Sequence, residues 1–390
     1  MSQFISPKKI YHGEGSLAKL EIIIKEVKAR KVFLLTDPML KDLGVINPVL
    51  EQLEMQDVTV DINTHVVPEP PLSAGNEVVE AVRKSKPDLV IGVGGGSALD
   101  LAKAAAVLAE NEGSVEDYLN LSGSKQTTNK GLPKVLIPTT SGTGAEVTDI
   151  AVFSLDDTKD VITHENLLAD YAIVDPVLTY TLPPKVTAAS GIDALTHAVE
   201  AYTSIHATPL TDSLALDAIQ RIVKNVRTAV WNGQDKHARE QMSLGSLIAG
   251  LSFYNAGVAG VHGLAYPLGG LFKIPHGESN ALLLPYVYDY IWPSCLDKMV
   301  KIAEMMGLPT EGKSARQISI DVVISLQDLV RDVGLPLKLS AYPIEEKDIE
   351  RLAQNGVKQK RLLDRSPRPL NIDSIREIYT NAYNGVLTSV

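Results

Sequence analysis

Four residues of this sequence have the types and settings of metal ligands: Asp193, His197, His262 and His276. Asp193 and His197 lie four residues apart in a helical pattern, so both side chains project from one face of a single helix. His262 and His276 lie in small, apolar, glycine-containing runs, where an imidazole without a partner costs free energy. One carboxylate and three imidazoles suit a borderline divalent ion such as Fe(II) or Zn(II) better than Mg²⁺ or Ca²⁺.

The alternative for Asp193 and His197 is an ordinary ion pair or hydrogen bond on a helix surface. The two further histidines in apolar surroundings favour the metal site over that alternative. Glu200, one turn beyond His197, can support a ligand, although its position is more typical of an exposed helix carboxylate. The remaining histidines have polar or strand-like neighbours and are not predicted ligands: His12, His65, His164, His206 and His237.

A glycine turn between a strand-like run and a helical run, DLVIGVGGGSALDLAKAAAVL (88–108), predicts a phosphate-binding site. Such a turn presents free backbone N–H groups and the positive end of a helix dipole. Ser97 and Asp100, both predicted to be cofactor-binding residues, have the spacing of a capping box at the helix start, and Lys103 adds a positive charge one turn later. The alternative is that the glycines serve turn geometry alone, because Ser97 replaces the last glycine of G-x-G-x-x-G.

A second glycine and hydroxyl run, PTTSGTGAEVT (138–148), also follows a strand-like run. Two phosphate-suited loops at successive strand ends indicate a pyrophosphate. The hydroxyl groups of this second loop belong to Thr139, Thr140, Ser141 and Thr143.

Asp37 ends the strand-like run KVFLLTD (31–37). An acidic side chain there can accept hydrogen bonds from both adenosine ribose hydroxyls and repel a 2′-phosphate, which favours NAD over NADP. The alternative role of Asp37 is that of a turn residue before Pro38.

The first half of the chain alternates short apolar runs with helical patterns, which predicts crossover units and a parallel sheet. From about Pro184 the pattern changes to long helical segments. We therefore predict a doubly wound, mainly parallel α/β dinucleotide-binding domain over 1–184 and an all-α metal- and substrate-binding domain over 185–390. The hinge is expected in VDPVLTYTLPPKV (174–186). The strand-like runs of the first half cover 31–37, 58–67, 88–97 and 134–140.

The composition narrows the range of partners. The 390 residues are 45% hydrophobic and carry a net charge of −10, which allows a large core and disfavours a nucleic acid as the main partner. The longest apolar runs are far shorter than the roughly 20 residues of a membrane-spanning helix. The start of the chain has no apolar signal core, and the single cysteine, Cys295, cannot form an internal disulfide. We expect a cytoplasmic protein with a small-molecule partner.

Four motifs occur in the order GGGS-x-x-D-x-x-K, PTTSGTGAE, D-A-L-T-H-A and PHG-x-x-N-A, followed by SPRPLNIDSIREIYTNAY (366–383). This combination resembles the iron-dependent (group III) alcohol dehydrogenases over essentially the whole chain. The resemblance implies a dehydroquinate synthase-like fold, an NAD-dependent oxidoreductase acting on CH–OH groups, one divalent metal ion (Fe²⁺ before Zn²⁺) and a homodimer. It implies that the metal ligands are Asp193, His197, His262 and His276, and that the cofactor site includes Asp37, Gly94, Gly95, Gly96, Ser97, Thr139, Thr140 and Thr143.

The sequence departs from this family at Tyr266. Many members have a histidine four residues after the third ligand, often proposed to assist proton transfer. A tyrosine hydroxyl can also relay a proton, but its reference pKa near 10 makes it a poorer carrier at neutral pH. The departure is similar to the branch that contains hydroxyacid-oxoacid transhydrogenases. Phe253 and Tyr254 are predicted to line the substrate pocket, with plain core packing as the alternative.

We hypothesise that the chain transfers a hydride between a small alcohol or diol and NAD, with the metal ion polarising the substrate oxygen. Two related alternatives are a transhydrogenase that keeps its nicotinamide bound and a diol oxidation of the glycerol dehydrogenase kind. A third is a non-catalytic metal- or nucleotide-binding protein whose ligands leave no open coordination position.

Overall fold

The computed structural model of the chain describes residues 3–155 and 158–389. The chain divides into two compact units. The N-terminal unit is Ser6–Thr181, and the C-terminal unit is Leu182–Val390 together with the start of the chain. Within the described ranges every strand belongs to the N-terminal unit, and the C-terminal unit is helical.

The N-terminal unit is built on a parallel sheet of six strands in the order β1-β8-β5-β4-β2-β3. Two further strands, β6 and β7, pair antiparallel with each other. The strands are β1 (Lys9–His12), β2 (Lys31–Thr36), β3 (Thr59–Asn63), β4 (Leu89–Gly94), β5 (Lys134–Pro138), β6 (Ile150–Ser154), β7 (Lys159–Thr163) and β8 (Tyr171–Val174). The helices are α1 (Leu20–Val27), α2 (Pro38–Asp42), α3 (Asn47–Glu54), α4 (Leu72–Ser85) and α5 (Gly96–Leu108).

Helices cover both faces of this sheet, because neighbouring residues on a strand point to opposite faces. On β2, Phe33 belongs to the core under α4 and α5, whereas Val32 and Leu34 belong to the core under α1 and α3. The apolar central strands therefore have both faces buried, as parallel sheets require. The predicted doubly wound α/β architecture is confirmed.

The four predicted strand runs form β2, β3, β4 and β5, each ending a few residues earlier than the run. The run 88–97 ends as a strand at Gly94, which has φ +155° and where a Cβ would lie 2.7 Å from the Cβ of Ala98. The chain turns at this glycine and enters α5. The sequence analysis did not identify β1, β6, β7 and β8, which have only four or five residues each. Charged or polar residues in β1, β6 and β7 further weaken the period-two pattern.

The predicted capping box at the start of α5 is wrong. Gly95 is the N-cap residue, no side chain of the described residues caps the helix there, and the Ser97 hydroxyl instead accepts a hydrogen bond from the Glu69 N–H (3.2 Å). Asp100 accepts from the Val152 N–H (3.0 Å) on β6, and its Oδ1 lies 2.8 Å from Lys103 Nζ. Asp100 therefore joins α5 to β6 and does not reach back to the helix start.

Lys103 is also not near the opening of the turn but fully buried, at 0% exposure. Its ammonium group donates to the Ala145 carbonyl (3.0 Å), the Thr148 hydroxyl (3.2 Å) and the Ile150 carbonyl. These bonds fix the segment after β5 against α5. Glu146 in the same segment is buried as well. Burial raises the pKa of Glu146 to about 7, against the opposing influence of its own N–H and of Lys103.

The C-terminal unit consists of helices around one large apolar core. Helix α6 begins at a proline pair, where a missing N–H costs nothing, and nearly all of its residues from Gly191 onward are buried against α7, α8 and α10. The helices are α6 (Pro184–Thr203), α7 (Pro209–Trp231), α8 (Lys236–Ala256), α9 (Gly260–Phe272), α10 (His276–Ile291), α11 (Leu296–Met306), α12 (Ala315–Asp332), α13 (Asp348–Gly356), α14 (Lys360–Leu363) and α15 (Ile372–Asn384). The predicted all-α second half is confirmed.

Across the described residues no single helix is long and apolar enough to cross a membrane. Helices α8 and α9 reach such a length and apolar composition only when taken together, and the chain bends by 103° between them.

The buried Asp100 and Lys103 pair predicts a large effect of removing one partner. We expect Lys103→Met to lower the free energy of unfolding by about 3–5 kcal/mol, because it leaves the Asp100 carboxylate buried without its counter-charge. Urea denaturation measures this change, with the exposed Lys84→Met as the control. The double variant Asp100→Asn/Lys103→Met is expected to lose less stability than Lys103→Met alone. Equal stability of Lys103→Met and the wild type would contradict the argument.

The raised pKa of Glu146 predicts a pH-dependent cost to stability. Between pH 4.5, the ordinary pKa of glutamate, and pH 7, the unfolded chain releases a proton that the folded chain retains. Raising the pH through this window therefore destabilises the wild type relative to Glu146→Gln, by on the order of 1–3 kcal/mol. Denaturant unfolding at a series of pH values tests this, with the exposed Glu110→Gln as the matched control. Parallel pH profiles for the wild type and Glu146→Gln would refute it.

Candidate metal centre and cofactor loops

Three side chains from different helices bring their donor atoms together in the C-terminal unit. Asp193 lies in α6, His262 in α9, and His276 is the first residue of α10. Each offers one ligand atom, and these atoms all lie within 4.8 Å of one another. Asp193 Oδ1 lies 3.8 Å from the Nε2 atoms of both histidines. Asp193 and His262 are buried and His276 is partly buried. The group therefore lies inside the helical core and is more open to solvent on the side of His276.

His197, the fourth predicted ligand, lies beside this group of three. It is one turn beyond Asp193 on α6, and its ring stacks on that of His262 with the ring centroids 4.6 Å apart. Its other ring neighbour is Phe253 of α8, at 4.2 Å between centroids. The helix spacing therefore places His197 beside the candidate metal centre. Its ring nitrogens, however, do not belong to the group of donor atoms that all lie within 4.8 Å of one another.

Glu200 supports His262 from α6, and the expectation that it would be an exposed helix carboxylate is wrong. Glu200 is only 1% exposed. Its Oε2 lies 2.5 Å from His262 Nδ1, and its Oε1 accepts from the Val261 N–H at 2.6 Å. An ionised carboxylate can only accept, so the Nδ1 atom of His262 carries the proton and its Nε2 lone pair points to Asp193. This is the carboxylate–histidine arrangement that orients metal-binding imidazoles.

Asn280 is a member of the group that the sequence analysis did not identify. Its Nδ2 lies 2.6 Å from Asp193 Oδ1, 3.1 Å from His262 Nε2 and 3.2 Å from His276 Nε2. The signal in the sequence is its position four residues after His276, which places both side chains on one face of α10. An amide donor that approaches three acceptors at once marks the point on which their lone pairs converge.

The charges at this point favour a cation. Burial by itself raises the pKa of Asp193, but the nearby His197, His276 and His262, together with the Asn280 amide, hold it below its ordinary value of 3.8. Asp193 is therefore an anion inside the core. One carboxylate and inward-facing imidazole nitrogens form a donor set that fits a borderline divalent ion.

Two of the residues predicted for substrate and proton transfer lie next to the group. The Tyr266 ring is tilted against that of His276, with their centroids 6.1 Å apart. Phe253 contacts the group through its stacking on His197. Tyr254, the next residue of α8, is partly buried. The roles predicted for these three residues remain predictions.

In the N-terminal unit, the two predicted phosphate loops lie side by side. Strands β4 and β5 pair in parallel with Gly94 opposite Pro138, and the Thr139 N–H donates to the Gly94 carbonyl (3.0 Å). A Cβ on Gly96 would lie 3.0 Å from Thr143, so the glycine permits a close approach of the two loops. A Cβ on Gly95, in contrast, would have only Thr140 within 4 Å, at 3.8 Å. Ser141 of the second loop is buried.

Asp37 follows β2 at the same edge of the sheet, because Thr36 pairs with Val93 of β4. Its Oδ1 accepts a hydrogen bond from the Met39 N–H (2.7 Å) and caps α2, so the turn role that was left open is present. The carboxyl ends of neighbouring parallel strands are where dinucleotides bind in doubly wound folds. The predicted contact of Asp37 with a ribose remains a prediction.

Models of one protein family match both units. The model described as "Iron-containing alcohol dehydrogenase" matches residues 7–176, and the one described as "Fe-containing alcohol dehydrogenase family, C-terminal" matches residues 187–383. Among curated relatives, the long-chain-alcohol dehydrogenase 1 of Geobacillus thermodenitrificans is 53% identical over 99% of this chain and 98% of its own.

Solved structures agree with the family models. A 1,3-propanediol oxidoreductase superposes with a TM-score of 0.94 at 34% identity, over 98% of this chain and 100% of its own. A sulfoacetaldehyde reductase from Bifidobacterium kashiwanohense, solved in complex with NAD⁺, superposes with a TM-score of 0.88 at 28% identity, over 98% of each chain.

The comparisons confirm the predicted resemblance and the predicted class of enzyme, an oxidoreductase of the alcohol dehydrogenase kind. They also confirm, for the family, the expected pair of cofactors, a metal ion and NAD. The converging donor atoms of the C-terminal unit agree with that pair. The chain belongs to the iron-containing alcohol dehydrogenase family.

Proposed function

We propose that this protein oxidises alcohols with NAD⁺, and reduces the corresponding aldehydes with NADH, at a divalent metal centre formed by Asp193, His262 and His276 with His197. The observation that carries this proposal is the convergence of three donor atoms to within 4.8 Å of one another inside a helical core. The contact of Glu200 with His262 adds support, because carboxylates orient metal-binding imidazoles in this way.

The cofactor, NAD, is proposed to bind at the two loops of the N-terminal unit. The backbone N–H groups at the start of α5 suit a pyrophosphate, because no side chain among the described residues caps that helix end. Asp37 is proposed to accept hydrogen bonds from the adenosine ribose. The other proposed contacts come from Gly94, Gly95, Gly96, Ser97, Asp100, Thr139, Thr140, Ser141 and Thr143.

When bound, the metal ion supplies Lewis-acid polarisation of the substrate oxygen, and NAD accepts or donates the hydride. The protein's own contribution is orientation. Glu200 holds the His262 ring so that Nε2 faces the group, and Phe253 and Tyr254 are proposed as walls of the substrate pocket. Tyr266 is proposed to hand the hydroxyl proton onward, since its ring lies against His276.

The substrate proposed here is a small primary alcohol or diol. A similar protein named as a 1,3-propanediol dehydrogenase supports this class, whereas the relative that is 53% identical is named for long-chain alcohols and supports alcohol oxidation but not the small size of the substrate. We further propose a homodimer in the cytoplasm, supported by the family resemblance and by the single buried thiol, Cys295, which leaves no internal disulfide to form.

Metal removal tests the function directly. Protein stripped by a chelator is expected to produce no NADH from alcohols, and anaerobic Fe(II) or added Zn(II) is expected to restore production. His276→Ala is expected to bind metal at least about tenfold more weakly, because one of few ligands is lost. Bound metal is measured by elemental analysis together with NADH absorbance. The exposed His237→Ala is the control and should match the wild type, whereas metal-independent activity would reject the proposal.

Asp37→Ser separates the two roles of this residue. Serine can still cap α2, as aspartate does, but lacks the charge that repels a 2′-phosphate. We therefore expect the ratio of kcat/KM for NADP⁺ to that for NAD⁺ to rise at least about tenfold, a change of about 1.4 kcal/mol, without loss of thermal stability. An unchanged ratio in Asp37→Ser would show that the residue is only a turn residue.

A further inference from the structure

Arg365 follows α14 and packs on the turn that joins α8 to α9. The turn begins at Gly257, whose φ of +85° requires glycine. A Cβ on Gly257 would lie 2.5 Å from Cδ and 2.6 Å from Nη1 of Arg365. The Arg365 carbonyl accepts from the Ile205 N–H (3.1 Å). The guanidinium group therefore lies flat against the backbone, in a place that only a glycine leaves open.

No carboxylate pairs with this arginine. Throughout residues 3–155 and 158–389, its guanidinium makes no hydrogen bond and no ion pair. Burial lowers the pKa of Arg365, and Arg361 lowers it further, while the Tyr266 hydroxyl acts in the opposite direction. The neighbouring Arg368 differs, because it donates to the Tyr290 carbonyl (2.5 Å) and lies 3.9 Å over the Tyr290 ring. A partly buried guanidinium with no partner carries an unmet preference for an anion.

Two features connect Arg365 with the candidate metal centre. On one side, the Gly257 N–H donates to the carbonyl of Phe253 (2.6 Å), and the Phe253 ring stacks on His197. In addition, Tyr266 raises the pKa of Arg365, and the Tyr266 ring lies against His276. Phe253 and Tyr266, whose rings neighbour His197 and His276, are thus the residues that connect Arg365 with the predicted ligands.

We propose that Arg365 binds an anionic group of the substrate, a carboxylate, while the hydroxyl or aldehyde at the other end of the same molecule reacts at the metal centre. Guanidinium matches a carboxylate with two parallel hydrogen bonds, a geometry that lysine cannot supply. The rings of Phe253 and Tyr266, which lie beside the predicted ligands, suit the carbon chain of such a substrate. The proposal names a substrate class, ω-hydroxycarboxylates and their aldehydes, and it rests on the proposed function.

The test compares each ω-hydroxycarboxylate with the primary alcohol of equal carbon count, over a series of chain lengths. In the metal-loaded wild type, kcat/KM for the carboxylate is expected to exceed that for the neutral alcohol at the best length by about tenfold or more. In Arg365→Gln this ratio should fall towards one, and in Arg365→Lys it should take an intermediate value. The exposed Arg361→Gln is the control and should keep the wild-type ratio. Circular dichroism melting of each variant establishes that it is folded.

Two results would overturn the proposal. The first is a kcat/KM ratio that does not respond as expected: either the wild type does not favour the carboxylate at any chain length, or Arg365→Gln keeps the wild-type ratio. The other is a weakened equilibrium affinity of Arg365→Gln for NADH without substrate, which would assign the arginine to a cofactor phosphate. If no alcohol of either kind reduces NAD⁺, the proposed function fails. Equilibrium binding of a plain alkanoate to the wild type and to Arg365→Gln then decides the anion site separately, since equal affinity rejects it.

Discussion

The hydrogen bond between Glu200 and His262 is the interaction on which the arrangement of the candidate metal centre depends. It joins α6 to α9 inside an apolar core, and the second oxygen of Glu200 holds the first turn of α9 through the Val261 N–H. The carboxylate fixes which nitrogen of His262 carries the proton, so the other nitrogen faces Asp193. Helix α6 thereby contributes both Asp193, a proposed anionic ligand, and the group that orients His262, a proposed ligand on the neighbouring helix.

The same constraint, that a buried charge needs a partner, shapes the N-terminal unit. The Lys103 ammonium group is fully buried, and it joins α5 to the segment that follows β5 by bonds to two carbonyls and a hydroxyl. Asp100 connects the same helix to β6. The two glycine-containing loops are consequently held at neighbouring strand ends, where a dinucleotide is expected. Two charged residues beside the first loop, Asp100 and Lys103, thus help to position the loops.

Predictions from the sequence were most successful where the residues of a single helix or strand contain the whole pattern. The central strands, the long helices and the spacing of Asp193 and His197 all follow from periodicity within a single segment. It failed where a side chain had a choice of partners. Ser97 has the spacing of a cap but bonds to the Glu69 N–H, and Glu200 has the spacing of a surface carboxylate but is buried. Short strands such as β1 and β6 also escaped, because four or five residues carry too little of a period-two pattern.

By itself the sequence determined the kinds of ligand, the order of the motifs and, through them, the family. It also determined which pairs share a helix face, because the rise and period of a helix are the same everywhere. Only the tertiary structure decided which residues from different helices meet. The contacts of Asn280 with Asp193 and of Arg365 with Gly257 join positions far apart in the chain. Such contacts depend on how the helices pack, and packing is set by the fit of many side chains at once.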